Sequence, residues 1–325
     1  GTFVRGTLLY ADRSTLSATD LSATSTTVTG GVDYGALFFL RDGDLSVDQW
    51  TVTDTAVSTT RTLYGGIAWL YNGSAATVSH ATFQANSIEA PSDSLYGGLI
   101  CGADNNLELQ WVDVRDNDIQ AGVLYGGLFY TSSGAEQSLS QLIVAGNRLG
   151  GSTALRGGVT LADETAGSYA LTSIQFADIY GNSLSGTVYG GVAYGYYAAA
   201  THTSAQVSGN HTFDQVTVSG NSSSGTTYGS VYYSNSAHST STFRYSNFYD
   251  NSGADFHNRS DPTGSDGNIS VAPDYTDISS IDPINWDLSP TQTSPLRDAG
   301  DPTLSDADGS RCDISAYGGS DGGGW

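Results

Sequence analysis

A six-residue pattern recurs along most of the chain. In its clearest copies it reads Tyr-Gly-Gly-aliphatic-x-aromatic, and these copies begin at Tyr34, Tyr64, Tyr96, Tyr125, Arg156, Tyr189 and Tyr228. A degenerate eighth copy begins at Arg5, and successive copies are 29 to 39 residues apart. A period near 30 that combines short apolar segments with Gly turns indicates a solenoid in which each repeat forms one coil.

The order of residues inside the hexapeptide predicts a buried face. Its fourth position is aliphatic in every copy: Leu8, Leu37, Ile67, Leu99, Leu128, Val159, Val192 and Val231. Residues two apart in a strand point to the same side, so we expect the sixth position to be interior as well. That position is filled by Tyr10, Phe39, Trp69, Cys101, Tyr130, Leu161, Tyr194 and Tyr233. The Gly pair permits a positive φ or a close backbone approach where the coil bends.

A second motif, an apolar residue followed three residues later by Asn, trails each hexapeptide by about 20 residues. The Asn positions are Asn86, Asn117, Asn147, Asn182, Asn221 and Asn251, while Thr24 and Thr55 take the place of Asn in the two earliest coils. Strands in neighbouring coils lie about 4.8 Å apart, which lets aligned Asn side chains hydrogen-bond to one another. We therefore expect a polar ladder; the alternative is a set of solvated turns.

The first residue of the hexapeptide predicts an aromatic column. Its members are Tyr34, Tyr64, Tyr96, Tyr125, Tyr189 and Tyr228, with Arg156 interrupting the series. We interpret the column as packing and turn support, and a binding stripe is the alternative. Together these patterns predict an all-β protein, a right-handed parallel β-helix of about eight coils.

The charge balance narrows the choice of partners. The chain has 33 acidic and 11 basic side chains, all 11 being Arg, and a formal net charge of -22. Such a surface repels nucleic acid and anionic lipid. No apolar stretch approaches the roughly 20 residues of a membrane-spanning helix, so we expect no membrane-spanning segment. The 41 Gly residues and the preference for Asp over Glu fit a turn-dense β protein.

A Lys-free, strongly acidic chain that is rich in Ser, Thr and Gly and has lost its start fits an exported protein. The chain contains no Met, so Gly1 is not a translation start, and we expect a processed or excised piece that has lost a leader. Gly1 to Tyr10 already falls within a hexapeptide copy, which leaves no room for a preceding cap. Cys101 and Cys312 are either two buried thiols or one bridge. We expect an extracellular or cell-surface location.

The alternation of a GG-aliphatic motif with an F-x-x-N motif over residues 5 to 251 resembles the chlamydial-type polymorphic membrane protein family. More broadly it is similar to secreted bacterial β-helix proteins of the pectin-lyase-like group. That superfamily includes adhesins, passenger domains, tail spikes and polysaccharide enzymes, so the resemblance implies a fold and an exported location more than an activity. The chain departs from the GG pattern at Thr7, Ala36 and Ser230.

The composition changes near residue 258, beyond which six of the seven Pro residues lie and the coil motifs stop. We therefore divide the chain into a β-helix at 1–258 and a C-terminal capping segment with a linker stub at 259–325. The sequence from Ser294 to Gly319 resembles the closing segment of secreted bacterial β-helix proteins, which agrees with this boundary.

Side chains that carry chemistry give only weak indications of a site. The resemblance implies that an enzyme of this group would use Arg or Lys as base, often with calcium, or clustered Asp residues with a His. No Lys is present, and the histidines share no metal-ligand spacing: His80, His202, His211, His238 and His257. A calcium site is one interpretation of a run of Asp residues, with solvated Asp turns as the other: Asp298, Asp301, Asp306, Asp308 and Asp313. Tyr196 and Tyr197 are expected on a protruding loop.

These observations favour a non-enzymatic exported protein that requires no cofactor, with calcium as the only candidate. We expect an adhesin-like shaft or a subunit that stacks head to tail into a filament. Its partners would be protein, either another copy or a cell-surface receptor, or glycan. The alternative is a carbohydrate-binding or polysaccharide-cleaving β-helix protein.

Overall fold

Three parallel β-sheets run side by side along the chain. The structure, a computed structural model, describes residues 4–72, 75–132, 135–163, 171–195, 210–235 and 241–325. Each coil contributes strands to the first, second and third sheets in turn, and then rises to the next level. This arrangement is a parallel β-helix, as the repeat predicts.

The strands follow the repeat. The first sheet contains Val4–Arg5, Thr27–Thr29, Val32–Tyr34, Ala56–Ser58, Leu63–Tyr64, Ser87–Tyr96, Asp118–Tyr125, Arg148–Arg156, Ser183–Tyr189, Ser222–Ser223 and Thr227–Tyr228. The second contains Leu9–Asp12, Phe38–Arg41, Ala68–Tyr71, Ile100–Ala103, Phe129–Ser132, Thr160–Ala162, Ala193–Gly195, Tyr232–Ser234 and Phe256–His257. The third contains Leu16–Thr24, Leu45–Thr53, Ala75–Gln84, Asn106–Arg115, Gln137–Ala145, Leu171–Tyr180, Asn210–Ser219, Thr242–Arg244 and Asn247–Tyr249.

Residues one repeat apart lie directly over one another. The amide of Ile67 donates to the carbonyl of Leu99 at 3.0 Å, and the amide of Leu99 donates to that of Leu128 at 2.9 Å. All three side chains are fully buried in one continuous core. The third sheet has eight levels, so seven turns of chain separate its first level from its last. The predicted stacking is therefore confirmed.

The two Gly residues of the hexapeptide serve different purposes. Gly97 has a φ of 64°, a left-handed conformation that side chains with a Cβ disfavour. Gly98 has no such φ, but a Cβ there would lie 2.3 Å from the carbonyl oxygen of Gly127 in the next coil. The first Gly thus permits the turn, and the second permits close contact between coils.

The sixth hexapeptide position faces outward, so the prediction that it is interior is wrong. Phe38 and Leu40 belong to the main core, whereas Phe39 belongs to a separate cluster on the opposite side of the strand. The strand of the second sheet starts at Phe38, and Leu37 still belongs to the turn. Leu37 and Phe38 therefore both point inward, and the alternation of the strand begins one residue later than the sequence suggested.

The Asn residues form a hydrogen-bonded ladder inside the β-helix. The Nδ2 of Asn117 donates to the Oδ1 of Asn147 at 2.9 Å, and the Nδ2 of Asn147 donates to the Oδ1 of Asn182 at 2.9 Å. The same bond links every consecutive pair of the series Asn86, Asn117, Asn147, Asn182, Asn221 and Asn251. Each of these Nδ2 groups also donates to a backbone carbonyl, as Asn147 does to Val114 at 3.0 Å.

The ladder ends at Thr55, whose amide donates to the Oδ1 of Asn86 at 3.1 Å. Thr24 does not occupy the equivalent position one coil earlier, as the sequence suggested. It pairs with Thr53, which places Thr26 beside Thr55. The sequence motif is too degenerate in this coil to fix the alignment to the residue.

Each long strand of the third sheet bends at a residue with positive φ. These residues form what we call the bend column: Asp20, Gln49, His80, Trp111, Gln141, Phe176, Gln215 and Tyr245. Strand pairing skips this position, since Ser79 pairs with Gln110 and Ala81 with Val112. Positive φ is rare for such side chains, and the regular stacking of the coils imposes it at every level.

The C-terminal segment has two parts. Its first part continues the β-helix beyond the last coil: the amide of Ser246 donates to the Oδ1 of Asn268 at 3.1 Å, and Asn247 bridges to Ile269. Its second part runs back along the outer side of the third sheet. It contains an antiparallel pair and one 3-10 turn: Tyr275–Asp277, Asp287–Pro290 and Pro283–Asn285. Only the first part covers the last coil, which was the role expected of all of 259–325.

Residues of the bend column form hydrogen bonds with this returning segment. The amide of Asp301 donates to the Oε1 of Gln215 at 3.1 Å, and the Nε1 of Trp111 donates to the carbonyl of Asp321 at 3.1 Å. Gln215 belongs to a later coil than Trp111, so the stretch from Asp301 to Asp321 descends toward the earlier coils. The preceding stretch reaches the earlier coils as well, since Arg115 donates to the carbonyls of Pro283 and Trp286.

Asp178 is a fully buried attachment point of the segment. Its carboxylate accepts from the hydroxyl of Tyr275 at 2.7 Å and from the amide of Ala316 at 2.8 Å. Burial raises the pKa of Asp178 to about 7, although both hydrogen bonds oppose the shift. The docking of the segment thus depends on a carboxyl group whose charge changes near neutral pH.

Candidate functional site

The outward-facing residues of the hexapeptide form two aromatic columns. In the first column, the ring centroids of Tyr64 and Tyr96 are 4.9 Å apart, and those of Tyr96 and Tyr125 are 4.6 Å apart. The ring planes of both pairs are nearly parallel, with interplanar angles of 7° and 5°. The full first column is Arg5, Tyr34, Tyr64, Tyr96, Tyr125, Arg156, Tyr189 and Tyr228. The residues predicted as an aromatic column therefore do stack.

The second column lies beside the first. Phe39 and Trp69 are 5.0 Å apart by their centroids, and Tyr194 and Tyr233 are stacked at 5.1 Å. Its members are Tyr10, Phe39, Trp69, Cys101, Tyr130, Leu161, Tyr194 and Tyr233. The Gly turn between hexapeptide positions one and six brings the two columns together, and Tyr96 meets Tyr130 edge to face at 5.2 Å. We call the two columns together the outer aromatic stripe.

Both columns are interrupted at the same level. Arg156 replaces Tyr in the first column, and Leu161 replaces an aromatic residue in the second. The guanidinium of Arg156 lies 5.1 Å from the ring centroid of Tyr125, and its Nη1 donates to the Tyr125 hydroxyl at 3.3 Å. A cavity of about 190 Å³ opens here, which we call the stripe gap; it is lined by Tyr96, Tyr125, Arg156, Leu161, Asp163 and Tyr194.

Polar groups at the stripe gap are held in place by the tyrosines. The hydroxyl of Tyr130 donates to the Oδ2 of Asp163 at 3.0 Å. Burial raises the pKa of the Asp163 carboxyl, while this hydrogen bond and the charge of Arg156 lower it. Burial also raises the pKa of Tyr96 to about 12. The Tyr96 hydroxyl is therefore protonated at neutral pH and can both donate and accept.

The histidines do not form a common site among the described residues. His80 lies 2.8 Å from Asp48 through its Nδ1 and stacks on Trp111 at 4.7 Å. His211 is buried against Tyr232, and His257 stacks on Tyr233 at the end of the stripe. His202 and His238 lie outside the described residues, as do Tyr196 and Tyr197.

Four of the five Asp residues proposed for calcium accept hydrogen bonds from the local backbone, and the fifth, Asp298, donates its own amide to one of them. Asp301 accepts from the amide of Thr303 at 2.8 Å, and Asp308 accepts from that of Ser310 at 2.9 Å. Asp306 accepts from the amides of Gly319 and Asp313, and Asp313 accepts from that of Asp298. Within the described ranges, no three His, Cys, Asp or Glu side chains form a group that could hold a metal ion. These contacts match the alternative of Asp turns.

Cys101 and Cys312 are two free, buried thiols, so the bridge between them is excluded. Cys101 belongs to the second aromatic column, and its thiol pKa is raised by burial. Cys312 belongs to the segment on the third sheet, where its Sγ lies 3.4 Å from the carbonyl oxygen of Asp301. The two thiols therefore stand on different sheets of the β-helix.

In the described parts of the chain, no helix is long and apolar enough to cross a membrane. Comparisons of the chain with protein-family models, with curated proteins and with solved structures find no match. The stripe and its gap therefore have to be interpreted from their own residues.

The sequence analysis missed the stripe gap. It recorded Arg156 as an interruption of the Tyr series, but it placed Leu161 in the core and did not consider Asp163. A usable signal was present, because the first and sixth positions of the hexapeptide both depart from an aromatic residue in the copy that begins at Arg156.

Proposed function

We propose that the protein is a non-enzymatic extracellular or cell-surface protein, in which the β-helix is an adhesin-like shaft and the outer aromatic stripe is its contact surface for glycan. The stripe is the observation that carries the proposal. Tyr64, Tyr96 and Tyr125 present stacked, half-buried rings over three successive coils without closing into the core.

The chemistry of the stripe suits sugar rings. A pyranose has apolar C–H faces that pack on aromatic rings, and its hydroxyls bond to groups at the ring edges. Tyrosine supplies both surfaces in one side chain. Because stacking within the column and the hydrogen-bonded coils hold the rings in place, little side-chain entropy is lost when a ligand packs against them.

The charge of the chain favours a neutral glycan. A net charge of -22 repels polyuronates and sulfated polysaccharides at moderate ionic strength. The resemblance of the repeats to the polymorphic membrane protein family and to secreted β-helix proteins supports the surface location. Polysaccharide cleavage is the rival activity for the same surface.

Binding and turnover on a panel of neutral and acidic polysaccharides, with and without calcium, test the proposal. We expect binding to neutral polysaccharides without new reducing ends or unsaturated products. The double variant Tyr34→Ala/Tyr64→Ala should reduce binding at least tenfold, while Trp325→Ala, an exposed aromatic on the C-terminal segment, should leave it unchanged.

Two results would contradict the proposal. Turnover of any polysaccharide by the intact protein would show that it is an enzyme and not a non-enzymatic shaft. Unchanged binding in the double variant would show that the stripe is not the contact surface. Tyr64→Phe keeps the ring and removes only the hydroxyl, so it remains informative if the alanine variants fail to fold.

A further inference from the structure

We propose that the stripe gap is a subsite for a single neutral pyranose residue. This assignment rests on the proposed function, because it names a specific sugar position within the outer aromatic stripe. The shape of the cavity, the two polar groups at its edge and the difference from the other levels of the stripe all support it.

The cavity combines an apolar lining with one donor group and one acceptor group. Leu161 is buried and Tyr96 and Tyr125 are half-buried, so together they present apolar surface to a ligand. Arg156 and Asp163 line the same cavity, and they do not form an ion pair with each other. A bound molecule can therefore reach both groups.

The pairing of Arg156 with Asp163 suits neighbouring hydroxyl groups. A guanidinium only donates hydrogen bonds, and an ionised carboxylate only accepts them. A hydroxyl does both, so one hydroxyl of a sugar can accept from Arg156 while the next donates to Asp163. A carboxylate ligand would satisfy Arg156 but would be repelled by Asp163, and an ammonium ligand would meet the reverse problem.

Comparison with other levels shows that two substitutions are needed to form the cavity. Arg5 also replaces Tyr in the first column, and its guanidinium lies 4.9 Å from the ring centroid of Tyr34. At that level the second column keeps an aromatic residue, Tyr10, which stacks on Phe39 at 4.9 Å. Only at the level of Arg156 does a smaller aliphatic residue, Leu161, coincide with the missing tyrosine.

The position of Asp163 is fixed from the neighbouring coil. Tyr130, one coil earlier in the second column, donates to its Oδ2 at 3.0 Å. Arg156 is fixed in the same way by the ring and the hydroxyl of Tyr125. Both polar groups of the subsite are thus positioned by side chains of the preceding coil, and binding requires little rearrangement.

Saturation-transfer NMR and calorimetry with methyl β-D-glucopyranoside and methyl β-D-galactopyranoside test the assignment. We expect at least one of them to bind with a dissociation constant on the order of 1 mM, typical of a single small ligand. Arg156→Tyr rebuilds the tyrosine column and fills the cavity, and Asp163→Asn removes the charge of the acceptor while keeping its shape. Each should weaken binding at least tenfold.

Arg148→Tyr is the matched control, because Arg148 is an exposed strand residue of the same coil outside the stripe gap. It should bind as the unchanged protein does. Thermal unfolding of each variant shows whether the fold is retained, and we expect Arg156→Tyr to fold because six other levels carry Tyr at this position.

The outcomes separate this assignment from the proposed function. If neither methyl glycoside binds, or if Arg156→Tyr binds them normally, the subsite is wrong, while polysaccharide binding that depends on Tyr34 and Tyr64 would still support the stripe. If the glycosides bind in the gap but no polysaccharide binds the stripe, the proposed function is wrong and the subsite stands. Tighter binding of methyl β-D-glucuronide than of the glucoside would overturn the choice of a neutral sugar.

Discussion

The Asn ladder and the outer aromatic stripe repeat with the same period but differ in how well they tolerate substitution. The ladder runs from Asn86 to Asn251 without interruption, whereas the stripe is broken at Arg156 and Leu161. The ladder is enclosed by three sheets, and each amide completes the hydrogen bonds of its neighbours. The stripe is open on one side, so a lost ring is replaced by solvent or ligand. A buried row of polar residues therefore restricts which residue each coil can carry at that position. An exposed row of aromatic residues tolerates a substitution, and the substituted level can form a site.

Replacing a middle rung of the ladder should give the largest effect. In Asn147→Leu the carbonyl of Val114, the backbone amide of Asn117 and the side-chain amide of Asn117 would each lose a hydrogen bond. The Oδ1 of Asn182 would keep only the bond from the backbone amide of residue 147. With about 1–3 kcal/mol for each buried group left unsatisfied, we expect a loss of about 5 kcal/mol in the free energy of unfolding, measured by urea titration.

Asn251→Leu is the control, because Asn251 is the last rung and is only partly buried. It should cost clearly less than the middle rung. Equal, small losses in the two variants would mean that the ladder contributes little and that the contrast with the stripe is not one of energy.

The second effect concerns the buried carboxyl that holds the C-terminal segment. Burial raises the pKa of Asp178 to about 7 in the folded protein, above its ordinary value of 3.8. Its contribution to stability is therefore fully present below about pH 4 and is lost as the pH rises through 7. A shift of about three pKa units corresponds to roughly 4 kcal/mol.

The difference in unfolding free energy between the unchanged protein and Asp178→Asn isolates this titration from those of the other carboxyl groups. We expect the unfolding free energy of the unchanged protein, relative to that of Asp178→Asn, to fall between pH 4 and pH 8. The protection factor of the Ala316 amide, which donates to Asp178, should fall over the same range in the unchanged protein once its exchange rate is corrected for the intrinsic rise with pH. Parallel pH profiles for the two proteins would contradict the prediction.

Removing one ring from the stripe should cost much less than removing a rung. Tyr96 stacks between Tyr64 and Tyr125, and an aromatic pair contributes about 0.5–1.5 kcal/mol beyond its buried area. We expect Tyr96→Leu to lower the free energy of unfolding by about 2 kcal/mol in the same urea titration. Tyr228→Leu, which removes a ring at the end of the column, is the matched comparison. A loss as large as that of Asn147→Leu would show that the stripe is part of the structural core.

The smallest effect is expected where the stripe is already broken. Arg156→Tyr should change the free energy of unfolding by less than about 1 kcal/mol, with a gain if the new ring stacks on Tyr125. Thermal unfolding and the Tyr absorption spectrum measure both effects. A loss of several kcal/mol would show that Arg156 is required for the fold, and the interpretation of the gap as a tolerated break would then be wrong.

The repeat predicted the parts of the fold in which each coil copies the last. Because Ile67, Leu99 and Leu128 occupy the same motif position, their stacking follows from the period alone, and the same reasoning gave the hydrogen-bonded Asn series. The side of the strand to which each side chain points was harder to predict. Phe39 follows a turn, and where the strand alternation restarts depends on backbone geometry that the hydrophobic pattern does not encode.

Contacts without a period were not predictable from the sequence. The pairing of Gln215 with Asp301, or of Asp178 with Tyr275 and Ala316, joins residues that are far apart in the chain. The bend column on which the segment docks mixes residue types as different as Asp20, Trp111 and Phe176, because what its members share is a backbone angle. The stripe gap was likewise hidden, since it exists only where two columns are read together.

The Asn ladder is also directional. Every side-chain amide from Asn86 to Asn221 donates to the residue one coil later, so the group dipoles align head to tail along the axis. Aligned amides polarise one another, as peptide units do in an α-helix. The two ends of the coil stack therefore differ in electrostatic character. The side-chain amide oxygens point toward the first coils, and the side-chain amide nitrogens point toward the last.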